Sequence, residues 1–99
     1  MSIGCKMTHY VYILRCNWGE LYVGYTTDLK RRFQEHQKGI GCKYTRGRRP
    51  VRMVYSKGYQ DRGSAMKREA ELKQLTKEEK LQLVKNQHYS KLYDLIMMV

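Results

Sequence analysis

Arg32 and His36 stand where a helix would ordinarily bury apolar side chains. In the segment ELYVGYTTDLKRRFQEH (20–36), Leu29, Arg32, Phe33 and His36 fall at i, i+3, i+4 and i+7, one face of a helix. A guanidinium on that face either snorkels over the edge of the core or enters a cleft, where its desolvation requires an anionic partner. Glu69 repeats the anomaly. Ala65, Met66, Glu69, Leu72 and Leu75 cover one broad helical face, and a carboxylate inside it needs an arginine or a hard cation. One or two carboxylates suit Mg²⁺ better than zinc. Tyr12 and Tyr22 add two phenols, in a chain with nine tyrosines and one phenylalanine. If an odd number of residues separates their strands, both tyrosines share one face of a sheet, either as a packed pair or as hydroxyls offered to a cleft.

Short elements must position these groups. HYVYILRC (9–16) and LYVGY (21–25) are rich in β-branched and aromatic residues, and NWGE between them carries turn residues, so the segment reads as a β-hairpin. Both strands are apolar on both faces for part of their length, which predicts a sheet at least partly covered on each side. Thr26, Thr27 and Asp28 supply capping chemistry for a helix to about Gln37, ended by Gly39 and Gly41. A basic loop, CKYTRGRRP (42–50), closes on the only proline, and VRMVY (51–55) alternates as a third strand that can extend to Tyr59. After DRGS (61–64), a helix spans Ala65 to Leu75, and the capping box of Thr76 and Glu79 opens another over Lys77 to Lys85. Residues 88–99 read as an amphipathic C-terminal helical tail. The expected fold is a small α+β domain with a three-stranded antiparallel sheet, in the order β-β-α-β-α-α plus a C-terminal helix, with its core over 9–85.

Ninety-nine residues make one domain, and 20 Lys+Arg against 9 Asp+Glu give a formal charge of +11. A hydrophobic fraction of 41% separates this chain from a disordered basic tail and makes a polyanion the natural partner. Membrane association is not expected: no apolar run of about 18 residues exists, and no basic amphipathic helix or lipidation signal stands out. MSIGCKMTH lacks the order of a signal peptide, so a cytoplasmic location is expected. Cys5, Cys16 and Cys42 are scattered, with no CxxC, and read as reduced thiols; a zinc site from Cys16, Cys42, His9 and His36 is disfavoured because close ligand pairs are absent.

Taken together the positions run Tyr12, nine residues, Tyr22-Val23-Gly24, seven residues, Arg32, three residues, His36, and later Glu69 within AMKREAELK (65–73). This order and spacing resembles the GIY-YIG nuclease superfamily. The first half of the signature is degenerate, standing as Val11-Tyr12-Ile13, and YVYILRC, YTRGRRPVR and KRE-x-x-LK are similar to small single-domain bacterial members. The resemblance implies a compact nuclease domain hydrolysing phosphodiesters with Mg²⁺ (or Mn²⁺). On that reading Glu69 holds the metal and Arg32 clamps the scissile phosphate through its planar donor fork. One tyrosine, Tyr22 slightly favoured, orients or deprotonates water, for which its ordinary pKa near 10 must be lowered. The other tyrosine holds water or phosphate, and His36 carries a proton or binds phosphate. Asn86 is the late candidate for an asparagine that members often carry near the metal. Substrate binding falls to the loop residues Lys43, Arg46, Arg48 and Arg49, with Tyr44 as a stacking platform.

The first expectation is therefore a metal-dependent endonuclease acting on nucleic acid, DNA ahead of RNA, possessing a structure-specific or repair-related substrate, and monomeric. The alternative is a nucleic-acid-binding module with the same fold and little or no catalysis. Self-association through the apolar tail ranks behind both, since amphipathic terminal helices usually dock on their own core.

Overall fold

Three short runs of β-branched and aromatic residues, largely apolar on both faces, build the sheet that organises everything else. The computed structural model describes residues 7–86, with β1 His9–Arg15, β2 Leu21–Thr26, α1 Leu29–Lys38, α2 Lys43–Arg46, β3 Arg52–Tyr59, α3 Arg62–Gln74 and α4 Lys77–Lys85. The expected tail over 88–99 lies outside the described residues. The sheet is antiparallel throughout, in the order β2-β1-β3. The innermost hairpin pair is Arg15 with Leu21, so residues 16–20 form the reversal, with Gly19 at φ 91°. That is an odd number, and Tyr12 and Tyr22 accordingly share a face.

Because β1 is central, its two faces seed two cores. Val11 and Ile13 pack with Val23, Tyr55, Ala65 and Leu72 on the α3 side. Tyr12 and Leu14 pack with Cys16, Phe33, Val51 and Met53 on the α1 side. The near-continuous apolar character of the strands follows from this double coverage. Against β3 the register slips between Ile13, paired with Tyr55, and Leu14, paired with Met53. Val54 is the extra residue of this bulge, and it explains how Met53, Val54 and Tyr55 are all buried in succession.

The helices start where their capping residues dictate. The Asp28 side chain accepts the Arg31 N–H at 3.0 Å, and α1 ends at Gly39, whose φ of 82° is the left-handed conformation glycine adopts freely. The capping box predicted for α4 is present, Thr76 and Glu79 each accepting the other's backbone N–H. Two boundaries differ from expectation. Asp61 accepts the Ser64 N–H at 2.7 Å, so DRGS is the cap and first turn of α3 rather than a turn before it. The basic loop also contains the short helix α2, held by Arg46 N–H to Cys42 O at 3.1 Å and by the burial of Thr45. Among the described residues no helix is long and apolar enough to cross a membrane.

Candidate active site

Tyr12 reaches its place because its cross-strand partner has no side chain. It pairs with Gly24, and a Cβ added at Gly24 would overlap the Tyr12 ring. The ring lies almost wholly buried, tilted against Tyr22 with centroids 6.4 Å apart. From α1, His36 meets both tyrosines edge-on, at 5.9 Å and 5.4 Å between centroids. Gly41 closes over the imidazole: a Cβ there would come within 2.6 Å of His36 Nδ1.

His36 is 0% exposed, and both of its ring nitrogens are engaged. Nε2 lies 2.9 Å from Tyr12 Oη, and Nδ1 lies 2.7 Å from Oγ1 of the equally buried Thr45. Thr45 Oγ1 also lies 3.5 Å from the Cys42 carbonyl, which can only accept, and 3.4 Å from Cys42 Sγ; in the tautomer whose Nδ1–H donates to Thr45, Nε2 accepts from Tyr12 O–H. Burial, with Arg32 adding and Glu35 opposing, pushes the His36 pKa down to about 4, so the imidazole is neutral at pH 7.

The phenols feel the same environment. Burial raises the Tyr12 pKa to about 12; Arg32 pulls it down through a hydrogen bond and its charge, while Cys42 and Glu69 push it up. Arg32 and Glu69 are thus both within electrostatic reach of one hydroxyl. Tyr22 is raised above its ordinary range by burial first, then by its hydrogen bond with Cys42. Burial also opposes ionisation of Cys42, but hydrogen bonds from Thr45, Tyr22 and the Tyr44 backbone outweigh it and leave the thiol below its usual value.

Arg32 keeps about a quarter of its side chain exposed and donates from Nη1 to Glu35 Oε1 at 3.0 Å. Burial works against its charge, yet Tyr12 and Glu35 hold its pKa above the ordinary value. Glu69 is one-fifth exposed and pairs with Lys73 Nζ at 3.3 Å on its own helix, so the carboxylate's partner is a lysine rather than Arg32. Tyr12, Tyr22, Arg32 and His36 are therefore brought together, while Glu69, on α3, is tied to them only through its charge at the Tyr12 hydroxyl.

The basic loop is less open than its sequence suggests. Lys43 and Arg46 are exposed, but Arg48 pairs with Glu20 at 3.2 Å, donates to Tyr44 O at 2.7 Å and lies 4.0 Å over the Tyr44 ring. Arg49 donates to Arg46 O at 2.9 Å. Tyr44 stacks on Tyr22 at 5.6 Å, which makes it the outer ring of an internal stack rather than a free-standing platform. Asn86 caps the end of α4 and is exposed. Thr45, Gly41 and Glu35 were not singled out from sequence as site residues, and Cys42 enters there only as a disfavoured zinc ligand. Only Glu35, three residues from Arg32 on one helix, carried a spacing that could have revealed its role.

Comparison with known proteins identifies the family to which this fold belongs. The GIY-YIG catalytic domain matches residues 8–82. A UPF0213 protein of Staphylococcus aureus is 46% identical over 78 residues, covering 79% of this chain and 95% of the relative. Among solved structures, the solution NMR structure of the UPF0213 protein BH0048 from Bacillus halodurans is 46% identical, with a TM-score of 0.55, over 88% of this chain and 95% of that one. The NMR structure of protein EF2693 from E. faecalis is 44% identical, with a TM-score of 0.56, over 81% of this chain and 85% of that one. Matched over most of its length by that domain, this chain belongs to the GIY-YIG superfamily of nuclease domains, beside the small UPF0213 proteins.

Proposed function

We propose that the protein is a divalent-metal-dependent endonuclease that hydrolyses DNA phosphodiester bonds. The observation that carries this reading is the buried relay in which the Tyr12 hydroxyl faces a neutral imidazole nitrogen 2.9 Å away, with a guanidinium alongside. A phenol whose proton is held by Nε2 presents its oxygen lone pairs elsewhere and can orient a water for attack, while any proton it takes requires that Arg32, substrate and metal lower its raised pKa. Tyr12 is better placed for this than Tyr22, whose hydroxyl is engaged by Cys42. Arg32 lowers the cost of charge on Tyr12 and, by exchanging Glu35 for a scissile phosphate, neutralises the phosphate as attack proceeds. Thr45 holds the imidazole so that Nε2 faces the phenol.

Glu69 fits a hard cation. Its carboxylate is partly exposed and held only by one lysine in the described structure, and Mg²⁺ commonly takes one or two carboxylates and fills its remaining positions with water and substrate phosphate. Among the described residues no three His, Cys, Asp or Glu side chains converge, which disfavours a dedicated zinc cage. When bound, Mg²⁺ (or Mn²⁺) supplies Lewis acidity to the phosphate and leaving oxygens. The Lys73 pair with Glu69 favours a second reading, a binding module in which the lysine keeps the carboxylate from metal.

Nicking of plasmid, branched and single-stranded DNA by purified protein with Mg²⁺ or Mn²⁺ separates the two. The nuclease reading expects cutting by the wild type and a loss of at least about a hundredfold in Glu69→Gln, the scale of one electrostatic stabiliser. Undiminished cutting by the variant, or salt-dependent binding with no cutting on any substrate, overturns it.

A further inference from the structure

Tyr22 stands on β2, an edge strand of the sheet, and is only half-buried. Its ring meets His36 edge-on at 5.4 Å and tilts against Tyr12 at 6.4 Å, and Tyr44 stacks on it at 5.6 Å with 25° between the planes. A side chain so placed keeps the rotamer its neighbours impose, so whatever fixes Tyr44 also fixes Tyr22. Tyr44 cannot fix itself. It comes from the four-residue helix α2 and is 39% exposed, and a helix of that length owes its stability to contacts outside itself.

Arg48 supplies those contacts. Its guanidinium carbon lies 4.0 Å over the Tyr44 ring, Nη1 donates to the Tyr44 carbonyl at 2.7 Å, and Nε donates to Glu20 Oε2 at 3.2 Å. The carboxylate is held in turn: Glu20 Oε1 accepts the Trp18 N–H at 3.0 Å, and the Glu20 carbonyl accepts the Cys16 N–H at 2.8 Å. A backbone bond from Asn17 N–H to Arg48 O at 2.8 Å ties the same loop to the same turn. The contacts close on themselves, because Glu20 stands two residues before Tyr22, the spacing that puts side chains on one face of an extended chain. An ion pair as exposed as that of Arg48 and Glu20 adds little to stability. What it fixes is direction, since Nε and Nη1 of a planar group are both engaged and hold the guanidinium over the ring.

We propose that Glu20 and Arg48 are positioning residues of the active site: through the Tyr44 ring they hold Tyr22 against His36 and Tyr12, and Arg48 serves cleavage in this way rather than by meeting phosphate. The proposal rests on the nuclease reading and adds to it residues that touch neither metal nor reacting phosphate. It makes the hairpin reversal part of the machinery. Without the brace the Tyr22 ring is free to tilt away from His36, and a displacement of about 1 Å at a reacting centre can cost about a hundredfold in rate.

Arg48→Lys separates positioning from phosphate binding, because lysine keeps the charge and loses the planar donor fork. On whichever DNA the wild type cuts, kcat should fall on the order of tenfold in Arg48→Lys and Arg48→Gln alike, with KM and the salt dependence of binding close to those of the wild type. Glu20→Gln should lower kcat in the same direction by less. Tyr44→Phe, which keeps both ring faces, should restore most of the kcat lost in Tyr44→Ala. NMR of ring-labelled tyrosine gives a readout independent of cutting: the Tyr22 ring signals, shifted by the rings around them, should move toward those of a free tyrosine in Arg48→Lys. Circular dichroism confirms folding of each variant. Tyr22 signals that stay in place in Arg48→Lys overturn the proposal. So does full activity of Arg48→Lys beside an Arg48→Gln whose slope of log K against log salt drops by about 0.9, the mark of one lost phosphate contact on duplex DNA. Wild-type protein that cuts nothing counts against the nuclease reading alone, and the Tyr22 signals then still decide whether the brace exists.

Discussion

At the residue scale His36 governs the site, because an imidazole with no exposure is deprotonated by its surroundings rather than by solvent pH. Its folded pKa of about 4 lies below the value of about 6.5 expected in the unfolded chain. Between those values the unfolded state binds more protons, so the group's contribution to stability is fully present above about pH 6.5 and is lost as pH falls through about 4. The shift corresponds to about 3 kcal/mol. Urea unfolding of the wild type and of His36→Gln across that window should show a steeper loss on acidification in the wild type, the difference approaching this value. Parallel pH dependences would refute the assignment. An imidazole NMR signal that does not titrate between pH 5.5 and 8 is the second readout, independent of whether the variant is stable. The sequence made Arg32 and His36 legible as polar residues on an apolar stripe, since helical spacing is visible in any single chain. Thr45 was illegible. A threonine amid Lys43, Arg46 and Arg48 carries no mark of burial until the loop folds back over α1.

Elements determine which of these residues can meet. The β1–β2 register puts Tyr12 opposite Gly24, and the glycine is required by close approach, not by φ, because its missing Cβ is the space the phenol occupies. Gly24→Ala must therefore displace either the ring or the strand. Overpacking of this kind costs about 1–3 kcal/mol, and it should break the Tyr12 bond to His36. Thermal melts should show the lowered stability, and nicking should fall more than stability alone explains. A variant with wild-type stability and activity would show that the ring has room to move. The hairpin, α1, β3 and the α4 cap were readable because each rests on local chemistry, namely alternation, caps and a capping box. The element that escaped, α2, is four residues long, too short for periodicity to register, and its buried Thr45 bonds to His36 nine residues away. The early start of α3 had a local signal, Asp61 three residues before Ser64, that a turn reading of DRGS obscured.

For the whole molecule the consequence of a central β1 is cooperativity. One strand supplies Val11 and Ile13 to the α3 core and Tyr12 and Leu14 to the core that carries the site, so neither face can come apart while the other stays folded. A chain of 99 residues has a stability of about 5–15 kcal/mol. Leu72, 0% exposed on the face opposite His36, is a demanding test of that coupling. Leu72→Ala removes buried methyl groups from the α3 core and should cost about 2–5 kcal/mol, a large share of the total. Far-UV circular dichroism reports the helices, and Trp18 fluorescence reports the hairpin reversal at the far end of β1. Both transitions should move to lower urea together, with one midpoint. The fraction that remains folded should still nick DNA at close to the wild-type rate per molecule, because no group of the relay has been touched. Separated midpoints, with the Trp18 signal holding after the helical signal is lost, would mean that the hairpin and its tyrosines persist without α3. The relay would then be a property of one sheet face alone, and Glu69, carried by α3, would be lost on unfolding before the tyrosines and His36 part.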